Sequence, residues 1–327
     1  MQKGVIVVAT MKDVAREAGV ALGTVSRYIN GESVKDSNRE AIENAIKKLG
    51  YVQNPIAKTM KTGKSMTVGV LVPALSNMFS MRIIESVEKY LESFGYSVIV
   101  SSSHNSESEQ SKKLRMFKNK MVDGIVLMTC SQNSKKIVES TGNIPLVLIV
   151  RLLDKNIFDS VIVSNRETVR SNISELINMG YKRFGIIEGP DSVYTARQRR
   201  LGYDDALREA GLESVFRESG NYTVESGYTV AKELTSTELD VLFTSNHELT
   251  VGVLKAYSSF EKPPILLGFD SPEPLLPQNS RFIMQPVETI GTRAAELIYG
   301  RMNGKVGEAE NIIISLADCT YITNENQ

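Results

Sequence analysis

At 327 residues and 42% hydrophobic content, the chain has room for two or three globular domains with sizeable cores. Its 38 Lys/Arg balance 38 Asp/Glu, yet eleven Lys/Arg against six Asp/Glu fall within the first 65 residues, so a basic head of about +5 precedes a body of about −5. No run approaches the eighteen or so apolar residues of a membrane span, and the apolar run of residues 5–9 is too short for a signal-peptide core, which excludes membrane and export classes and points to the cytoplasm.

Met11 is itself a candidate start. From there, Thr10 with Asp13 three residues on reads as a capping box for a helix with Val14, Ala15 and Ala18 inward and Gly19 as its stop. A second helix follows within three residues, with Val25 and Ile29 spaced for the core, which is helix-turn-helix spacing. Its outward residues, Leu22, Gly23, Thr24, Ser26, Arg27 and Asn30, are the candidates for contact with DNA, because a basic module neutralises phosphates and small first-turn residues let a helix approach base edges. Arg27 could instead pair with an acid at the core edge. Ser37 with Glu40 signals a third helix, with Ile42, Ile46 and Leu49 on one face and Gly50 as its end.

In residues 51–65, Asn54 serves as an N-cap with Pro55 at the first helical position, and Ile56, Ala57, Met60 and Lys61 fill two turns before Gly63. A helix this short is marginal alone, so it is expected to be disordered without DNA or a partner hinge and ordered when both are present; a plain flexible linker is the alternative.

From Thr67 onward, apolar runs such as TVGVLV, DGIVLM, IPLVLIV, FGIIEG and PILLGFD alternate with amphipathic segments. Near-continuous Val/Ile/Leu strands separated by helices read as parallel sheets covered on both faces, arranged as two lobes over some 260 residues. Ligands of such folds bind at the carboxyl ends of strands, which here offer Ser76, Asn77, Phe79, Arg197, Tyr222, Asn246, His247, Asp270 and Gln285. Arg, Asn, Asp and Gln around aromatic faces suit a hydroxyl-rich ligand. Cys130 and Cys319 lack metal-ligand spacing and read as reduced core thiols, with no metal and no cofactor expected. There is no G-x-S-x-G, P-loop or H-E-x-x-H, and the two histidines, His104 and His247, are far apart, so the chain does not read as an enzyme.

KDVAREAGVALGTVSRYINGE, followed by AIKKLGYVQNPIAKTMKTGKSMTVGVLVPALSN, resembles the head of a LacI/GalR-family transcriptional regulator, and the resemblance runs to the C-terminus. It implies a helix-turn-helix DNA-binding headpiece at 1–50, a hinge helix and linker at 51–65, and at 66–327 a two-lobed α/β core like that of periplasmic sugar-binding proteins, which dimerises and senses a ligand. It also implies that paired hinge helices enter the minor groove with Asn54, Ala57 and the wedging Met60, where the family usually has Leu, and that Arg197 and Asp270 hold the effector. The function implied is repression of a carbohydrate-utilisation operon from double-stranded operator DNA by a homodimer under a sugar or sugar-like effector.

Several positions depart from the family pattern. Val150 and His247 stand where acids are common, Gly23 leaves a reading position bare, and Ala21 replaces the usual Ser cap at a cost of about 1 kcal/mol. Control by a phosphorylated phosphocarrier protein or by a non-sugar ligand is the alternative, the former disfavoured because Glu296 occupies the place of a phosphate-gripping base; a sugar-binding receptor without DNA function would not need the basic head.

Overall fold

The structure is a computed structural model that describes residues 9–52, 59, 63–153, 157–234, 238–270, 280–315 and 320–323. The chain forms two compact units, Met1–Ser65 and Met66–Gln327.

In the first unit, helix α1 (Met11–Ala18) opens with the expected capping box: Thr10 accepts from the Asp13 amide and the Asp13 carboxylate accepts from the Thr10 amide, 3.0 Å away. Gly19 ends it at φ 66°, a left-handed conformation that costs glycine nothing. Helix α2 (Leu22–Ile29) follows with Ala21 at its cap and no side-chain cap bond. Helix α3 (Asp36–Leu49) begins one residue before Ser37, with Lys35 at the cap and no side-chain bond, so the expected Ser37 cap is corrected. Asp36 in the first turn meets the positive helix end instead. Val14, Val25 and Ile42 are fully buried at the centre, each contributing about 1.5–3 kcal/mol, with Ile29, Ile46 and Leu49 packed around them. The expected hinge residues Asn54, Ala57 and Met60 lie outside the described residues.

The second unit holds two six-stranded sheets. The first is parallel throughout, in the order β11 (Asn311–Ile314), β5 (Asp159–Val163), β4 (Leu146–Ile149), β3 (Gly124–Leu127), β1 (Thr67–Val72), β2 (Ser97–Ser102). The second runs β12 (Thr320–Thr323), β10 (Ser280–Ile283), β9 (Ile265–Phe269), β8 (Val241–Thr244), β6 (Phe184–Glu188), β7 (Ser214–Ser219), and only the edge strand β12 is antiparallel to its neighbour. The central strands are buried on both faces, which is why they are apolar without alternation.

Helices α4 (Met78–Glu92) and α11 (Val287–Met302) pack together beside the first sheet, while α5 (Glu107–Asn119) and α6 (Ser134–Thr141) cover Leu71, Ile125 and Leu148 on its other face. In the second lobe α7 (Asn165–Asn178) pairs with α8 (Tyr194–Glu209), and α9 (Val224–Glu233) with α10 (His247–Tyr257). The chain crosses between lobes after β5, after β10 and after β11, so both lobes are built from discontinuous segments.

Candidate functional site

The carboxyl ends of both sheets face one cavity of about 780 Å³, within the range typical of small-molecule sites. Ser76, Asn77, Phe79, Tyr222, Asn246, His247, Asp270 and Gln285 all line it. Arg197 does not: its Nη1 donates to the Asp191 carbonyl at 2.9 Å, and the arginine in the wall is Arg199. Both lie on α8, whose buried positions Ala196, Arg199, Gly202, Tyr203 and Ala206 mark the inward face. Arg199 falls on that stripe and Arg197 beside it.

Arg199 is only 5% exposed. Its Nε donates to Asn165 Oδ1 at 2.8 Å, its Nη1 to the Ser245 carbonyl at 2.6 Å, and the guanidinium lies 3.4 Å from the centre of the Phe269 ring. Burial pulls it below its ordinary pKa, and the nearby Tyr222, Asp270 and Glu248 act against that. Asp270 accepts from the Gln285 side-chain amide at 2.8 Å and from its backbone amide at 3.3 Å. Burial pushes the Asp270 carboxyl above the usual carboxylate range, with Arg199 and Gln285 pulling it back. An arginine with hydrogens left to donate, beside a carboxylate with lone pairs left to accept, can grip neighbouring hydroxyls.

Asn77 and Asn246 cap α4 and α10 through their side-chain oxygens, at 2.9 Å from the Ser80 amide and 3.0 Å from the Leu249 amide. Their side-chain nitrogens both donate to Glu248, Asn77 across the cleft at 2.7 Å. Gln132 reaches across a second point, donating to the Ser192 carbonyl at 2.7 Å. These two contacts join the lobes on either side of the cavity.

Three strand-end residues carry positive φ, Val150 at 53°, Tyr222 at 61° and Asp270 at 61°. For Val150, a β-branched residue, this is a strained conformation of about 1–3 kcal/mol, and it directs the chain so that Arg151 enters the wall. Tyr222 packs its ring against Gly189, where a Cβ would lie 2.1 Å from the ring. Cys130 lines the cavity half-buried rather than lying in the core, so that expectation is corrected; Cys319 lies outside the described residues. The Cys130 amide and thiol donate to Gln110 Oε1, which also accepts from Thr129, and burial pushes the Cys130 thiol up in pKa. Arg151, Arg199, Cys130 and Glu248 were not among the residues expected from sequence, although the helical phase of α8 and a charge placed directly after the apolar run of β4 are readable signals.

In α2, Leu22, Gly23, Arg27 and Asn30 are exposed, and Thr24 and Ser26 partly so. Among the described residues Arg27 makes no ion pair, and a Cβ added at Gly23 would meet nothing within 4 Å.

The model of the bacterial regulatory proteins of the lacI family matches residues 10–54, and that of the periplasmic binding proteins and sugar binding domain of LacI family matches residues 65–266. The chain belongs to the LacI family. It is a LacI-family DNA-binding transcriptional regulator with a ligand-binding core, and such regulators are not enzymes. Catabolite control protein A of Priestia megaterium is 29% identical over 310 residues, covering 90% of this chain and 92% of that protein. The ribose operon repressor of Escherichia coli (strain K12) is 29% identical over 311 residues, with 90% and 93% covered. The crystal structure of the lac repressor dimer bound to operator and the anti-inducer ONPF has the same fold, with a TM-score of 0.84 at 20% identity over 94% of this chain and 96% of that one. No helix among the described residues is long and apolar enough to cross a membrane.

Proposed function

We propose that this regulator represses a carbohydrate-utilisation operon and that a hydroxylated effector seated in the interlobe cavity sets its operator affinity. The observation that carries this reading is the cluster of Arg199 on α8 with Asp270 and Gln285 at the strand ends, buried in the cavity wall and oriented by hydrogen bonds within the protein. The names of the relatives agree with it: one is a ribose operon repressor, and the lac repressor was crystallised as a dimer with operator and an anti-inducer.

On this reading the chain works as a cytoplasmic homodimer, with residues 1–50 as headpiece, 51–65 as hinge and 66–327 as core. Ser26, Arg27 and Asn30 reach base edges, Leu22, Gly23 and Thr24 approach the groove, and Asn54, Ala57 and Met60 act in the hinge. Ser76, Asn77, Phe79, Tyr222, Asn246, His247, Asp270 and Gln285 contact the effector, with Arg199 replacing Arg197 as its cationic anchor. The two cross-lobe contacts favour a closed cleft, and effector binding acts on the hinge through the balance of open and closed forms. Control through a phosphorylated protein gains nothing from α11, where Glu296 pairs with Arg293 at 2.6 Å.

The test has two parts. Operator DNA is selected from a random-sequence library with the full chain, and a thermal-shift screen of sugars and sugar derivatives then finds ligands, which raise the melting temperature because they bind only the folded state. A compound that stabilises the core and changes operator affinity at least severalfold supports the reading. A chain that selects no sequence, or whose operator affinity ignores every stabilising compound, contradicts it.

A further inference from the structure

Arg151 follows the strained Val150 at the end of β4 and lines the cavity from the first lobe. It is 8% exposed, and its Nη1 has no hydrogen-bond partner. Among the described residues, no carboxylate pairs with it. The groups whose charge acts on it are Cys130, Tyr222 and Arg197, and Arg197 is a second cation.

One other polar atom of the wall shares this condition: Gln285 Oε1 is buried without a partner. Tyr222 stands close enough to both arginines to feel their charge. The cavity's carboxylates act elsewhere: Asp270 and Glu248 offset the burial of Arg199. A buried guanidinium left without an anion is costly. An occupant that brought its own negative charge would remove that cost and accept from Arg151, and Tyr222 offers a second donor beside it.

We infer that Arg151, with Tyr222 beside it, forms an anion subsite and that the effector is an anionic carbohydrate, a sugar phosphate or sugar acid, whose hydroxyls meet Arg199 and Asp270 while its charged group meets Arg151. This rests on the cavity being the effector site, and it adds the ligand's charge and the residue that reads it. Arg199 anchors a hydroxylated ligand of any charge; Arg151 selects the charged one.

The test uses the full chain and matched pairs: ribose with ribose 5-phosphate, glucose with glucose 6-phosphate, and glucose with glucuronate, with inorganic phosphate compared against chloride at equal ionic strength. Calorimetry and melting temperature are read for the wild type, Arg151→Met and Arg151→Lys. The expected result is a charged member bound roughly ten- to a hundredfold more tightly than its neutral parent by the wild type. Arg151→Met brings the pair together without weakening the neutral parent, and Arg151→Lys keeps part of the preference. Phosphate raises the wild-type melting temperature above the chloride control and leaves that of Arg151→Met unmoved. The ligand-free Arg151→Met melts no lower than the wild type, because no partner among the described residues is lost. Phosphate-led and glucuronate-led preferences distinguish the two sources of charge.

Equal affinity within every pair, a preference that survives in Arg151→Met, no stabilisation by any anion, or a ligand-free Arg151→Met that melts well below wild type would each overturn the inference. A neutral sugar that binds and changes operator affinity while anions do not would overturn the anion subsite alone. Arg151-dependent anion binding that leaves operator affinity unchanged would overturn the regulatory reading alone.

Discussion

Arg199, on the second lobe, donates to Asn165 and the Ser245 carbonyl, lies on the Phe269 ring and has Asp270 and Glu248 near it, whereas Arg151, just as buried on the first lobe, has none of these. The same side chain therefore does two kinds of work in one cavity. A guanidinium held by its own protein is a finished part of the wall, and its removal damages the fold as well as the site. A guanidinium without a partner is finished only by an occupant, so its removal changes what binds and leaves the fold intact.

The largest effect expected from this contrast is at Arg199. Arg199→Ala leaves the Asn165 and Ser245 oxygens without the bonds that Arg199 donates and Asp270 without a cation that offsets its burial, which should lower core stability by about 3 kcal/mol and effector affinity by about a hundredfold or more. Urea denaturation and calorimetry check both. If Arg199→Ala and Arg151→Met destabilise the core equally, the contrast between the two arginines is wrong.

A smaller effect is expected where the walls touch. Asn77→Asp keeps an equally good cap for α4 but sets a carboxylate against Glu248, which Asn77 contacts at 2.7 Å. Effector affinity should fall about tenfold with little change in the stability of the helix, as closure meets like-charge repulsion. Calorimetry with small-angle scattering measures the affinity and the openness of the cleft; an unchanged cleft with unchanged affinity would show that the contact carries no closing energy.

Asp270 sharpens the comparison through pH. Its folded pKa is raised by burial, so its contribution to stability is fully present below its unfolded value and is lost as pH rises through the folded one. Asp270→Asn should therefore gain stability relative to wild type as pH rises from about 4 to 7. Asp205 and Asp240 have lowered values, so their contributions run the opposite way, present at neutral pH and lost on acidification. They are common to both proteins and cancel in the difference between the two denaturation series. A difference that is flat with pH would show Asp270 to be ionised without penalty.

The smallest effect lies outside the cavity. Gly23→Ala places a Cβ in open space on α2, so the headpiece should gain about 0.5–1 kcal/mol while effector affinity stays the same. Selection from random DNA should show an altered operator preference; an identical preference would remove Gly23 from the contact face.

The two-lobed parallel architecture was legible because buried strands such as VLFT of β8 and LVLI of β4 carry apolar residues on both faces. Strand β7, SVFRES, was missed because it is an edge strand with a largely exposed face, so its sequence is polar. Strand β11, NIII, has an alternating burial pattern for the same reason. Eight of the nine expected effector residues line the cavity, since strand ends can be counted from sequence. The family resemblance points to Arg197, yet ARQRR offers three arginines in four positions, and only the phase set by Ala196, Tyr203 and Ala206 selects the inward one, Arg199. Arg151 does not stand out from the strand pattern, because its role depends on the positive φ at Val150 and on the lack of a paired carboxylate among the described residues, neither of which such a pattern encodes.

The proposed regulation requires that a ligand held by Arg199 in the interlobe cavity change operator affinity. Anisotropy titration of a selected operator with the full chain, with and without a stabilising ligand, tests it directly when wild type and Arg199→Ala are compared. The wild type should show at least a roughly fivefold ligand-dependent change in operator affinity. Arg199→Ala should show no such change, with wild-type affinity in the absence of ligand. The same ligand-dependent change in both proteins, or none in a wild type shown to bind the ligand, would contradict the proposed regulation.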